Sequence, residues 1–563
     1  MVTPSVRMVS LPMVGLGRAA GPIFDKEMRV ASRRIRYYAL RAAYAGALTF
    51  LVMVTWSSTM RTGSALVLAS RMPEVAKTVT TAITWLQFLA AQGLAVILLS
   101  SAIGEEVRKG TLGVLLTTPI SSLQIVVGKL LSRMLQILVS LAISLPVLAI
   151  LRLLGGVPWD YVLAGACITL TTTLFAGALS LWLSTHSRYG SQAISTSLLL
   201  IFVVHIIPVT IFPWLGPRGV VNTWIVAHLM DLANPFHVLY QATSELWSPA
   251  GPTGATVSWG LNSLVMLSLA LILLLLTVRR VRRVAVAGID GARRSAKAAV
   301  GRAAKRFLWS AGTPAEVAGP IRRVAGSPVV WKETRRGLLY GWSLSDIVIS
   351  AIALAASVIP VIIFGATDVG STAGVGMVIG WFLSVLVLVR LAVTCAGNVP
   401  RERETRTWPI LLTTPLEDRE IVYGKAKAAL LRNGPLLITL AAIYLFFLVV
   451  FPRPETLFIA GMGLASQVVS ILLVVGIGSY FGVTVRTRGS AVVATIAVCL
   501  VTKYVISGLF LPVVGAMTMG AGGGGGGVAF GFCVGMLFPA LIQVTIAIAA
   551  IQVAAQRVRH DVF

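Results

Sequence analysis

Apolar residues along this chain come in long runs separated by shorter polar stretches, and the runs have the roughly 20-residue length of a bilayer-crossing helix. They lie near 42–60, 79–103, 134–154, 161–185, 192–214 and 257–278, and again near 344–364, 373–397, 428–451, 456–482, 490–515 and 528–554. The pattern predicts an all-α polytopic membrane protein with about twelve transmembrane helices, arranged as two sets of six. The run 428–451 opens with Arg432 and Asn433, which belong at an interface. Pro146, Pro208, Pro360 and Pro512 fall inside runs and are expected to kink their helices.

The polar stretches carry an internal duplication. Between the second and third runs of each set stands LLTTP, at Leu115–Pro119 and again at Leu411–Pro415. Aligned at an offset of 296, Glu106–Lys129 matches Glu402–Lys425 without a gap, with 11 of 24 positions identical. Two further anchors agree: GPIFDKEMR from Gly21 resembles SPVVWKETR from Ser327, and THSRYGS from Thr185 resembles TVRTRGS from Thr484. The expected organisation is therefore residues 1–278 as one six-helix unit, 279–325 as a basic linker and 326–563 as the second unit. Six spans is an even number, so the two units are expected to be parallel repeats about an axis along the membrane normal.

Within each loop, Thr118-Pro119 and Thr414-Pro415 read as a helix start, threonine as the cap and proline at the first helical position. In the second copy Thr414 and Glu417 have the spacing of a capping box. The helix is expected to run on to Gly128-Lys129 or Gly424-Lys425, where glycine permits close backbone packing and lysine snorkels to the headgroups.

Composition agrees with the spans: 56% of the 563 residues are hydrophobic, 12% are charged, and the mean hydropathy is +0.87. The net charge of +27 would suggest nucleic acid in a soluble protein, but its placement argues against that partner. From Arg279 to Ser343 there are fifteen Lys or Arg against three acids, whereas the polar segment 215–256 holds only Arg218, Asp231 and Glu245. Alternation of basic and nearly uncharged loops follows the positive-inside rule and predicts that both termini and the linker are cytoplasmic; the linker reads as partly helical, its charge as retention of topology in preference to contact with anionic lipid. The start of the chain shows no cleavable signal peptide. Cys167, Cys395, Cys499 and Cys533 all fall within runs, share no CxxC spacing and are read as apolar core residues. No metal site is expected.

A Glu-rich, Arg-containing segment, then LLTTP, then I-V-x-G-K between the second and third of six spans resembles the transmembrane subunits of ABC-2 type exporters, here as two permease units fused in one chain. The PxxxKE segment before each set resembles the amphipathic connecting helix of that family. The resemblance implies a permease of the cytoplasmic (inner) membrane whose loops include coupling helices for nucleotide-binding subunits. By that resemblance Glu105, Glu106, Arg108, Thr111, Thr117, Thr118 and Pro119, with Glu402, Arg403, Glu404, Thr407, Thr413, Thr414 and Pro415, face the ATPase or hold the coupling element. The copies diverge, with Gly110 against Arg406 and Leu112 against Trp408, which leaves open whether the two docking sites are equivalent. Neither Gly-Lys pair has the remaining residues of a P-loop, so the permease is expected to have no ATP site or catalytic residue of its own. ATP-Mg and its hydrolysis are expected in separate ATPase subunits, two copies, one beneath each unit.

Inside the membrane ionisable residues are functional candidates. His205 and Lys503 lie mid-run in the fifth and eleventh runs; at an offset of 299, Val204 aligns with Lys503 and His205 with Tyr504. In the resembled family the second and fifth helices face the central pathway, so His205, Lys503 and Tyr504 are pathway candidates by resemblance; for His205 an interhelical hydrogen bond is the simpler reading. Arg390 is expected to snorkel and Asp346 to sit at the interface. The Gly522–Gly527 run reads as a flexible connector. The competing function is a secondary transporter with six-helix repeats, which needs intramembrane carboxylates that the runs lack at mid-span. A membrane enzyme lacks a converging nucleophile, base or metal-ligand set. The substrate is not readable from the spans.

Overall fold

A computed structural model describes residues 16–33, 35–59, 65–100, 102–109, 111–153, 155–187, 190–206, 208–209, 223–248, 259–308, 326–334, 342, 344–364, 369–450, 454–485, 487–520 and 525–559. The described residues are helical apart from short turns. In the first half of the chain the helices are α1 (Leu16–Ser32), α2 (Ile35–Thr59), α3 (Ala65–Leu99), α4 (Gly104–Lys109), α5 (Thr111–Thr117), α6 (Ser122–Ala142), α7 (Leu145–Leu153), α8 (Trp159–Ser184), α9 (Gly190–Ile201), α10 (Thr223–Ala233), α11 (Pro235–Trp247) and α12 (Trp259–Leu308). In the second they are α13 (Pro328–Thr334), α14 (Leu344–Phe364), α15 (Val369–Glu404), α16 (Trp408–Leu412), α17 (Asp418–Arg432), α18 (Gly434–Val450), α19 (Pro454–Thr484), α20 (Arg488–Gly520) and α21 (Gly525–Arg557).

Each apolar run overlaps one or two helices, though 192–214 ends among residues that are not described. Among the described residues seven helical segments are long and apolar enough to cross a bilayer, and α17 with α18, bent by 61° at Asn433, makes an eighth. The chain is thus a multi-pass membrane protein. The bend has a local cause: the Asn433 side chain returns to the Ala429 carbonyl at 2.8 Å, and Pro435 has no amide hydrogen to continue the ladder. At the third run α6 ends before Pro146 and α7 begins beside it, which is the interruption proline predicts.

Two polar expectations are corrected, and the linker is helical in part, as expected. The segment 215–256 is not only an outer loop, because 223–233 and 235–247 fold into the hairpin α10–α11. Asn234 caps α11 by accepting hydrogen bonds from the Phe236 and His237 amides, and its side-chain amide donates to the His205 carbonyl at 2.6 Å. Phe236, Val238 and Leu239 are buried among α3, α8 and α9, so an apolar face hidden in a nearly uncharged sequence drew the hairpin inward. The linker 279–325 starts as the continuation of α12, a single helix of 50 residues. Arg390 does not reach outward as a snorkelling side chain: it forms an ion pair with Asp346, with side chains 12% and 3% exposed, since two opposite charges in contact satisfy one another more cheaply than either alone in an apolar setting.

The two halves meet along α3 and α9 of the first and α15 and α20 of the second, with α2 against α20. These are the second and fifth runs of each set. Phe236 joins the contact edge-on to Phe382 at 6.2 Å and to Phe88 at 4.7 Å. Small residues let other helices approach closely; a Cβ on Gly476 would stand 2.3 Å from the Ala547 carbonyl oxygen, so α19 and α21 pack backbone against backbone. Cys395 and Cys499 are buried free thiols and Cys167 is half-buried; Cys533 has no described side chain.

Candidate functional site: the paired loops and the polar interior

The LLTTP segments end helices, which reverses the expectation that they start them. In the first copy the Thr117 and Thr118 hydroxyls donate back to the Val114 and Leu115 carbonyls at 2.7 and 2.5 Å. In the second, Thr413 and Thr414 do the same to Ile410 and Leu411 at 2.8 and 2.5 Å. A residue before proline is disfavoured in the α region, so the chain turns there and the threonines satisfy the last carbonyls of α5 and α16. The following helix starts three residues later. Ser121 and Gln124 make a reciprocal capping box for α6, whereas Glu417 precedes α17 with no side-chain cap and Thr414 makes no box with it.

Nor do the Gly-Lys lysines snorkel. Lys129 is 7% exposed and Lys425 4%. Lys129 donates to Glu106 at 3.1 Å and to the Ala102 carbonyl at 2.9 Å, and Thr111 donates to the same Glu106 carboxylate. Lys425 lies 3.1 Å from Glu402 and 3.5 Å from Glu333, and Lys332 reaches Glu402 at 3.0 Å. The same glutamate–lysine pair thus recurs 296 residues apart, clamping the loop helices to the helix that re-enters the membrane. Each lysine finds a protein carboxylate within 3.1 Å, which takes the place of a headgroup.

The connecting segments complete both clamps. Helix α1 lies on α6 with Glu27 bridging to Arg133 at 3.3 Å, and α13 lies on α17 through Glu333. Gly424 makes room for this, since a Cβ there would stand 3.0 Å from that of Val329.

Between the clamp and the turn, α5 and α16 present matching faces. Leu112 and Trp408 are buried at 2% and 3%, while Val114 and Ile410 are each 66% exposed. Pro119 and Pro415 are exposed, as are Thr117, Thr118, Thr413 and Glu404; Thr414 is half-buried. Arg403 stacks over Trp408 at 5.8 Å, and Thr407 bonds Thr405 at 3.0 Å and the Glu402 carbonyl at 3.4 Å. Glu105 and Arg108 lie on α4, but their side chains are outside the described set. Arg406 has φ of 56°, and the Thr407 amide returns to the Glu402 carbonyl at 3.0 Å. That is a Schellman-type helix end with arginine in the left-handed position, where the first copy has Gly110. Sequence reading missed Val114 and Ile410; their shared periodicity with Leu112 and Trp408 was the available signal.

Residues 22–283, which include the first clamp and its loop, match the family model described as ABC-2 family transporter protein. The matched stretch, 262 of the 563 residues, is similar to that family. Its clamp, connecting helix and loop recur in the second half, beyond the matched residues. No curated protein matches the chain.

In the interior of the first half His205 is 2% exposed, with Nδ1 3.3 Å from the Ile201 carbonyl in a π turn (Phe202–Ile206), and it packs on Phe175 and Phe236. It holds the α10–α11 hairpin through its own carbonyl. Lys503 does not join it: its ammonium donates to Ser470 at 2.8 Å on α19. The Tyr504 side chain lies outside the described set.

Proposed function

We propose that the chain is the membrane component of an ATP-driven ABC-2 exporter in the cytoplasmic membrane, with both termini cytoplasmic and two separate ATPase subunits docking on α5 and α16. The family domain supports a permease that works with ABC ATPases. The observation that carries the docking reading is the pair of loop helices, each anchored by a buried glutamate–lysine clamp and each presenting one apolar residue, Val114 or Ile410, 66% exposed at the same position. An apolar side chain at the centre of a polar-rimmed contact is what a groove on a partner takes up. The threonine-capped turn beside it fixes the angle at which the helix is offered. ATP-Mg is bound and hydrolysed by the partners; this chain transmits the motion, and its two six-helix units, 1–278 and 326–563, part along α3, α9, α15 and α20.

Native purification of the chain from its source, with identification of co-purifying proteins, tests the reading. A P-loop ATPase is expected, lost in the Val114→Asp/Ile410→Asp double variant while the membrane fold is retained. Coupled transport by the chain alone in liposomes would refute it. Glu402→Arg is a poorer probe, because Glu402 is buried in the clamp and its replacement disturbs the fold as well as the contact.

A further inference from the structure

The interior of the second half contains a set of hydrogen-bond donors without matching acceptors. Lys503 on α20 donates to the Ser470 hydroxyl on α19 at 2.8 Å, and that hydroxyl in turn donates to the Ser466 carbonyl at 2.8 Å. One turn earlier on α19, Gln467 accepts at its carbonyl oxygen from Ser384 on α15. Ser384 and Gln467 are 7% and 6% exposed. The amide nitrogen of Gln467 is buried and has no hydrogen-bond partner. An ammonium group carries three N–H donors and a carboxamide two. Among the described residues Lys503 is paired with no carboxylate, and the Gln467 amide nitrogen with no acceptor.

The first half differs at the aligned positions. At the same offsets its residues are Phe88 for Ser384, Ile168 for Gln467, Thr171 for Ser470 and Val204 for Lys503. Phe88 and Ile168 are fully buried in apolar packing. At these positions the donors belong to the second half alone, and packing the common fold does not require them there. Lys503 stands 15 residues beyond Arg488, the start of α20, about 22 Å along the helix axis and midway through the apolar run 490–515. A charge at that depth is expensive and marks a functional position.

We propose that Lys503, with Gln467 beside it, binds an anionic, oxygen-rich group, a phosphate or carboxylate, between α15, α19 and α20. Both unsatisfied groups are donors, so the complementary ligand is an acceptor, and the uncompensated positive charge selects an anion over a neutral hydroxyl. The one-sided placement gives the ligand a direction: its charged end lies in the second half, and any apolar remainder faces the Phe88, Phe236 and Phe382 cluster where the halves meet. That this ligand is the exported cargo rests on the function proposed above; the binding itself does not.

The test uses the full chain in zwitterionic nanodiscs without any ATPase, so that its failure is separate from a failure of the docking reading. Equilibrium binding is measured for dodecyl phosphate, inorganic phosphate and dodecyltrimethylammonium, with wild type, Lys503→Met, Lys503→Arg and Gln467→Leu. Dodecyl phosphate is expected to bind saturably, at least tenfold more weakly to Lys503→Met, more weakly to Gln467→Leu, and with most affinity kept in Lys503→Arg. Competition by inorganic phosphate supports a site fed from water; binding of dodecyl phosphate alone supports one fed from the bilayer. Equal binding of the phosphate and ammonium probes by wild type overturns the proposal, as does unchanged phosphate binding by Lys503→Met. The wild-type comparison of probes decides the matter should a variant fail to fold. A purely structural lysine would show neither charge selectivity nor rescue by arginine.

Discussion

Replacing Glu402 with glutamine is expected to destabilise the protein more than the same change at Glu106, although the two occupy equivalent positions. Glu402 is 9% exposed at its side chain and faces two ammonium groups, Lys332 at 3.0 Å and Lys425 at 3.1 Å. Glu106 is 26% exposed and faces one, Lys129 at 3.1 Å. At an effective dielectric constant of about 20, one such contact carries roughly 5 kcal/mol of gross attraction, most of it offset by desolvation. What remains measurable is the penalty of stranding the partner. Lys425, 5% exposed, would keep only Glu333 at 3.5 Å, which puts Glu402→Gln at about 3–5 kcal/mol. Lys332, 53% exposed, is hydrated when released and adds about 0.2–1 kcal/mol. Lys129 would keep the Ala102 carbonyl at 2.9 Å and a more open carboxamide, so Glu106→Gln is expected near 1–3 kcal/mol. Reversible unfolding in mixed micelles, with a double-mutant cycle of Glu402→Gln and Lys425→Met, measures these terms. A coupling energy below about 1 kcal/mol, or a larger loss for Glu106→Gln than for Glu402→Gln, would refute the argument.

Other outcomes follow from single contacts. Ser121→Ala removes half of the α6 capping box and is expected to cost about 1 kcal/mol, whereas Glu417→Ala, which loses no side-chain cap, stays within about 0.5 kcal/mol; thermal melts separate them. Arg406→Gly places glycine where φ is 56° and is expected to stabilise by about 1 kcal/mol, read as a rise in melting temperature. Gly476→Ala drives a methyl group into the Ala547 backbone 2.3 Å away and is expected to cost about 3 kcal/mol or prevent stable insertion, seen as loss of folded protein on size exclusion. Replacing Asp346 alone with leucine strands Arg390 and lowers stability by about 3–5 kcal/mol, while Asp346→Leu with Arg390→Leu recovers most of that loss; aligned with Arg390, the first half has Leu94.

The all-helical, multi-pass character was legible because bilayer thickness imposes a single length on every crossing helix, and the loop motif repeated at one spacing pointed to where the glutamate–lysine pair recurs. Local chemistry at the loops was harder to read. Threonine before proline suits the start of one helix as well as the end of another, and the choice fell to Ser121 and Gln124, three positions on, whose cap leaves LLTTP to close α5. Lys129 and Lys425 were misplaced because snorkelling assumes that the nearest anion is a headgroup; the partner was Glu106 or Glu402, 23 residues earlier. The α10–α11 hairpin was hidden for a related reason. Its sequence is too short and polar to score as a span, yet Phe236 and Leu239 find burial inside the bundle formed by α3 and α8.

Helix α12 turns a small movement into a large one. Val281 is buried against Leu99, Ile103 and Leu112, so this point of the helix is seated on the loop that bears α5. Beyond it the same helix continues 27 residues to Leu308, an arm of about 40 Å at 1.5 Å per residue. Rocking the seat by about 5° would swing the far end by about 3–4 Å, a leverage that a flexible linker of equal length would dissipate.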